Sequence, residues 1–160
     1  MDISIPKEQF VKFLCDAKIS TYAAQDNVSS VKPILPRSHQ LEFRRGSLLY
    51  RDIYYGGEFF VGNETVFNFG DPIWAMCYAG GVNEGFDIKN APNLYDFLQS
   101  ALREVPKSAP FRGPERFADQ DFLYSNRVLG SVMRFSGVET IQFKDTPIYQ
   151  LHYSGGRIKE

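Results

Sequence analysis

Two glutamates, Glu64 and Glu139, lie in strand-like runs in the same alternation phase as apolar neighbours, Phe60 and Val66 for the first, Phe135 and Ile141 for the second. That phase points each side chain towards a core, where a carboxylate needs a cation, a hydrogen-bond network or a proton. Two readings of the pair stand open. In one, each Glu is a structural anchor held by Arg37 or Arg112, by a tyrosine hydroxyl, or by backbone N–H groups at a bulge near Gly62 and Gly137. In the other, the carboxylates line a cleft walled by Tyr50, Tyr54, Trp74, Tyr78, Tyr124, Tyr149 and Tyr153. Such a cleft suits a small cationic or aromatic ligand, since carboxylates supply charge and ring faces supply cation–π attraction. The same two groups at a set separation are also what a carboxylate hydrolase uses. Asp52 shares the phase of Tyr50 and Tyr54 and joins the candidate residues. Its counterpart further along the chain is near Asn126, so a symmetric two-carboxylate mechanism at that position is disfavoured.

Other chemistries find little support. Cys77 and His152 occupy equivalent positions in two similar segments, but no nucleophile motif surrounds either, and enzyme function is not the favoured reading. Cys15 and Cys77 lack metal-ligand spacing, and His39 and His152 are the only histidines, so no metal centre is expected. The pairs Gly80-Gly81 and Gly155-Gly156 follow strands without a phosphate-loop pattern, and no cofactor is expected. Free thiols suit a reducing compartment, and the amino terminus carries no signal-peptide pattern, so a cytoplasmic location is expected. No run has membrane-spanning length. A net charge of −1, from 18 Lys and Arg against 19 Asp and Glu, gives no pull towards nucleic acid or anionic lipid. The one basic cluster, Arg37, His39, Arg44, Arg45 and Arg51, is interrupted by Glu42 and Asp52 and reads as a solvated face.

The elements that must position these residues come from an internal repeat. Residues 60–81 align with 135–156 at an offset of 75 without a gap, and nine of the 22 positions are identical, among them Gly62 with Gly137, Glu64 with Glu139 and Tyr78 with Tyr153. Val66 with Ile141, Trp74 with Tyr149 and Met76 with Leu151 keep their chemistry. Upstream, Leu48-Leu49-Tyr50 resembles Phe122-Leu123-Tyr124 with the offset slipping by one. Each copy begins with an amphipathic helix, carried by Phe10, Phe13, Leu14 and Ala17 and by Leu94, Phe97, Leu98 and Ala101. Pro6 and Pro92 suit the first turns, with Ser4 and Asn90 as caps. Irregular Pro- and Arg-bearing stretches follow, then three strands per copy, near 47–54, 58–69 and 73–79, and near 122–129, 132–143 and 148–154. The expectation is an α+β single domain over residues 1–160, in which an α-β-β-β unit occurs twice, near 5–81 and near 90–158. Two helices would then pack on a curved, mostly antiparallel sheet of about six strands.

Five blocks, residues 50–54 (YRDIY), 60–64 (FVGNE), 73–78 (IWAMCY), 112–114 (RGP) and 151–156 (LHYSGG), together resemble an uncharacterised bacterial domain-of-unknown-function family. The resemblance implies a bacterial or phage-like intracellular setting, and because members stand alone or behind a helix-turn-helix domain it implies a sensory or regulatory role for some of them, while it transfers no catalytic residue. The leading expectation is a small-molecule-binding or sensing domain with Glu64 and Glu139 as charge partners. A small hydrolase using those carboxylates and a protein-interaction module, pairing as a homodimer through a sheet face, are the alternatives.

Overall fold

Apolar and polar residues alternate far enough along both copies to build eight strands. A computed structural model describes residues 5–24 and 28–159. The elements are α1 (Lys7–Ser20), β1 (His39–Arg45), β2 (Leu48–Gly56), β3 (Phe59–Asn68), β4 (Asp71–Val82), a 3-10 turn (Ile88–Asn90), α2 (Leu94–Arg103), β5 (Arg116–Asp119), β6 (Phe122–Ser131), β7 (Arg134–Phe143) and β8 (Thr146–Arg157). All eight strands form one antiparallel sheet in the order β1-β2-β3-β4-β8-β7-β6-β5. The expected α+β arrangement of two helices on six strands is therefore corrected: the described residues are mostly β, with one eight-stranded sheet and two short helices.

The two extra strands lie at the sheet edges. β1 reads as a charged loop because Glu42, Arg44 and Arg45 interrupt it, yet Leu41 and Phe43 alternate with them and the strand pairs with β2 over its full length. Charged edge strands of this kind resist pairing with other chains. Residues 29–31 cover part of the β1 edge: the Val31 N–H donates to the Gln40 carbonyl at 3.1 Å and the Glu42 N–H to the Ser29 carbonyl at 3.0 Å. β5 spans Arg116–Asp119, too short to give a periodic signal of its own.

The two meanders carry one register. Tyr78 faces Tyr153 at the central β4–β8 pairing, and the flanking pairs Trp74–Arg157 and Val82–Tyr149 exchange with each other under the offset of 75. A bulge lies between Val66 and Phe67 and another between Ile141 and Gln142, again 75 residues apart. These bulges replace the ones expected near Gly62 and Gly137. The β3–β4 turn places Phe69 and Gly70 at φ 51° and 95°, and the β7–β8 turn places Lys144 and Asp145 at 48° and 62°. Two consecutive positive φ values give the turn twist that matches paired strands.

Residues directly opposite in the register share a face, so the face carrying Tyr50, Glu64, Met76 and Tyr78 also carries Gly155, Tyr153, Glu139 and Tyr124. That inner face is buried with the helices. Phe13, Leu14 and Ala17 of α1 and Leu94, Phe97, Leu98 and Ala101 of α2 are buried in the same core. Phe111 stacks on Phe135 at 3.7 Å between ring centroids, and Phe135 stacks on Trp74 at 5.7 Å. The α1 N-cap is Pro6 and the α2 N-cap is Asn93, neither with a side-chain capping bond, while Asn90 ends the 3-10 turn. Ser4 lies outside the described residues.

Gly62 and Gly137 serve packing. A Cβ built on Gly62 would run into the Tyr78 ring and hydroxyl, and one on Gly137 would run into Tyr153. Each tyrosine therefore lies across a notch in the neighbouring strand and reaches the strand beyond. Gly137→Ala is expected to lose about 1–3 kcal/mol through overpacking, measured as a lower urea midpoint. Gly57→Ala, where a Cβ meets nothing within 4 Å, stays within about 0.5 kcal/mol.

Candidate functional site

The inward glutamates end in a buried polar network. Glu139 is fully buried and accepts four hydrogen bonds: from Arg112 Nη2 at 2.6 Å and Nε at 3.1 Å, from the Tyr124 hydroxyl at 2.7 Å and from the Tyr149 hydroxyl at 2.8 Å. The fork of Arg112 matches the carboxylate geometry, which makes this the stronger of the two ion pairs. The Tyr124 hydroxyl also accepts from the Gly113 N–H at 2.9 Å, and Asn126 Nδ2 donates to the Gly113 carbonyl at 2.9 Å. Thus the Arg112-Gly113 segment is fastened to β6 and β7 by side chain and backbone together. Tyr153 closes the chain by donating to Asn126 Oδ1 at 2.7 Å.

In the first half, Glu64 pairs with Lys18, a residue on the buried face of α1 beside Leu14 and Val11. The Tyr78 hydroxyl donates to Asp52 Oδ1 at 2.7 Å, the counterpart of the Tyr153–Asn126 bond. Tyr50 is buried beside Glu64. Arg112 lies over the rings of Tyr22 at 5.9 Å and Tyr78 at 5.8 Å, so the two halves share one cluster.

The cluster holds two cationic side chains against three carboxyl groups, and the environment decides which protonate. Burial pushes Lys18 down from its ordinary value, with Glu64 pulling it back. Burial also works against Arg112, but Glu139 overrides it and holds the guanidinium well above its usual range. Burial, and next the neighbouring Glu64, push Asp52 up to about 7. Burial and then the adjacent carboxylates raise Tyr50, Tyr78, Tyr124 and Tyr149, so these hydroxyls stay protonated donors.

The candidate residues separate into three groups. Glu64, Glu139, Asp52, Tyr50, Tyr78, Tyr124, Tyr149, Tyr153 and Arg112 come together in this network. Trp74 sits in the adjoining core and donates to the Val132 carbonyl at 3.1 Å, while Tyr54 stacks on His39 at 4.9 Å. Arg37 does neither, being exposed at a positive-φ position before β1. In the basic cluster, Arg45 pairs with Asp16 at 2.6 Å and Arg51 with Glu42 at 2.8 Å. Lys18 went unrecognised in the sequence, although its signal was there: a lysine four residues after Leu14 on the apolar stripe of α1.

The opposite, outer face of the sheet carries an open groove of about 640 Å³ that crosses β3, β4, β8, β7 and β6. Mostly small side chains make its floor, Cys77 and Ala79 on β4, Ser154 on β8, Ser136 and Val138 on β7, with the His152 imidazole standing among them on β8. Val61 stands at one end and Arg127 with Leu129 at the other. Asn63 Nδ2 donates to Cys77 Sγ at 3.2 Å, and Cys77 is an exposed free thiol. The register puts Val61, Ala79, His152, Val138 and Arg127 in one row across the strands. Sequence reading missed this site, because its residues follow the polar phase of each strand and only the strand order assembles them.

A family described as a domain of unknown function matches residues 52–158, roughly two thirds of the chain. The match takes in the groove residues and all of the inner network except Lys18, Tyr22 and Tyr50. No curated protein and no solved structure matches. Among the described residues, no helix is long and apolar enough to cross a membrane, and no group of three or more His, Cys, Asp and Glu is placed to hold a metal ion.

Breaking the network should be costly in a directed way. Arg112→Met leaves Glu139 buried without its cation and is expected to cost about 3–5 kcal/mol, part of which returns in the Arg112→Met, Glu139→Leu double variant. Both values come from urea unfolding. For Asp52 the sign runs the other way. A folded-state pKa raised from 3.8 to about 7 means that the native protein holds the extra proton, so stability falls as pH rises between these values and stays low above them. Asp52→Asn, which copies Asn126, should therefore be more stable than the parent at pH 8 by roughly 1–3 kcal/mol and lose that pH slope. Lower stability of the variant at pH 8 would refute the assignment.

Proposed function

The chain belongs to the DUF5680 family, a domain of unknown function, and from that premise we propose that it is a small-molecule-binding module whose ligand lies in the outer groove. The carrying observation is where the two halves differ. Most inner-face pairs keep their chemistry, Tyr50 with Tyr124, Gly62 with Gly137, Glu64 with Glu139, Met76 with Leu151 and Tyr78 with Tyr153, against Asp52 with Asn126 and Tyr54 with Val128, which do not. Outer-face pairs at the groove do not: Val61 with Ser136, Asn63 with Val138, Cys77 with His152, Ala79 with Ser154, and Ile53 with Arg127. A buried network forbids such changes, whereas an open face accepts them, so a binding preference has room to arise only on the groove side. A groove of this volume falls within the range of ligand sites.

The ligand expected from the sequence, held between Glu64 and Glu139, gives way in this reading to one on the other face. Both carboxylates already have protein cations, and the sheet separates them from the groove. Tyr78 and Tyr153 link the two sides, since they border the groove and donate to Asp52 and Asn126.

The neutral fluorophore N-phenyl-1-naphthylamine tests the site without presuming a charge. It should bind saturably with one-to-one stoichiometry and brighten. Ala79→Trp, which fills the floor from an outward-facing position, should abolish the signal while leaving the circular dichroism spectrum unchanged. Binding that fails to saturate, or that survives Ala79→Trp, removes the groove as the site.

A further inference from the structure

Resting on the groove reading, we infer that the ligand is an elongated aliphatic carboxylate, its carboxylate held over Val138 between Arg127 and His152 and its chain running across β4 towards Val61. Charge complementarity carries this. The thirteen residues lining the groove include one permanent cation, Arg127, and one imidazole, His152, and no Asp or Glu. Arg127 is exposed and has no hydrogen bond or ion pair to any described residue, unlike Arg45, Arg51 and Arg112. Its fork is free to meet a planar acceptor.

Placement follows from the register. His152 and Arg127 flank Val138 on adjacent strands, so about 10 Å separates their backbones, the width a bound carboxylate with two side chains reaching inward would occupy. From β7 to β3 is three strand spacings, roughly 14 Å, over a floor of Ser154, Cys77 and Ala79 that ends against Val61. The path passes beside His152 and then over the small side chains of Ser154, Cys77 and Ala79, which suits an extended chain better than a compact polycycle. The charged end lies in the second half and the far end of the chain in the first, the direction taken by four of the five outer-face pairs, Ile53 to Arg127, Cys77 to His152, Ala79 to Ser154 and Val61 to Ser136, with Asn63 to Val138 running the other way.

Dodecanoate, dodecan-1-ol and dodecyltrimethylammonium, each below its micellar concentration, test the class by displacing N-phenyl-1-naphthylamine from the full chain. Dodecanoate should displace it best. The preference for dodecanoate over dodecan-1-ol should fall about fivefold in Arg127→Gln, the worth of one exposed charge-assisted pair, and be kept only in part in Arg127→Lys, which restores the charge without the planar fork. Displacement that is equal for all three compounds, or best for the ammonium, with fluorophore binding intact, overturns the carboxylate assignment and leaves the groove reading standing. If the fluorophore does not bind, titration calorimetry with dodecanoate decides: heat abolished by Ala79→Trp upholds the inference, and no heat ends both readings.

Discussion

The ion pair of Arg112 with Glu139 sets the terms for the rest of the molecule. Desolvating a carboxylate and a guanidinium costs several kcal/mol each, and only a complete set of partners makes their burial tolerable. Glu139 has that set, two bonds from Arg112 and two from tyrosines. Completing it requires Tyr124 on β6, Tyr149 on β8 and the loop that carries Arg112 to arrive together at β7. The pair therefore fixes the relative placement of three strands and a loop. The first half does the same more loosely, with Lys18 from a helix in place of a loop arginine and one carboxylate more than it has cations.

Glycine makes the reach of the tyrosines possible. Tyr78 and Tyr153 face each other at the centre of the sheet, each lying across a glycine of the next strand to bond a side chain one strand further on. A residue with a Cβ at Gly62 or Gly137 would push the ring away, leaving Asp52 or Asn126 short of a donor. Register, notch and hydrogen bond are thus one constraint seen at three scales, and its appearance in both halves explains why these positions match at the offset of 75.

Much of this was legible in the sequence. The offset, the two helical stripes and the inward phase of both glutamates all follow from residue spacing, while Arg112 stood only as one of several alternative anchors beside Arg37, a tyrosine hydroxyl and backbone N–H groups. What escaped did so for physical reasons. β1 and β5 are edge strands, and the charges that protect an edge hide its alternation; Arg116–Asp119 is also too short to show a period. Lys18 escaped because a lysine on an apolar stripe is ordinarily taken to extend its head to solvent, and its partner lies 46 residues away on β3. The groove escaped because its residues come from five strands and become neighbours only once β4 meets β8, a pairing that no local pattern specifies.

The two faces of the sheet have been free to change to different degrees. On the inner face, altering one partner strands a charge or a hydroxyl in the core, so both halves keep Glu, Tyr and Gly at matching positions. Where a charged position departs, Asp52 against Asn126, the acceptor oxygen that its tyrosine needs is kept and only the charge changes, while Trp74 against Tyr149 keeps an aromatic ring. On the outer face no two groove-lining side chains hydrogen-bond each other, Cys77 taking its bond from Asn63 beside the groove, and the halves differ at nearly every position there. Symmetry is retained where burial enforces it and lost where solvent permits. The tyrosines that border the groove are the same ones that hold Asp52 and Asn126, so the face that changed rests directly on the face that could not.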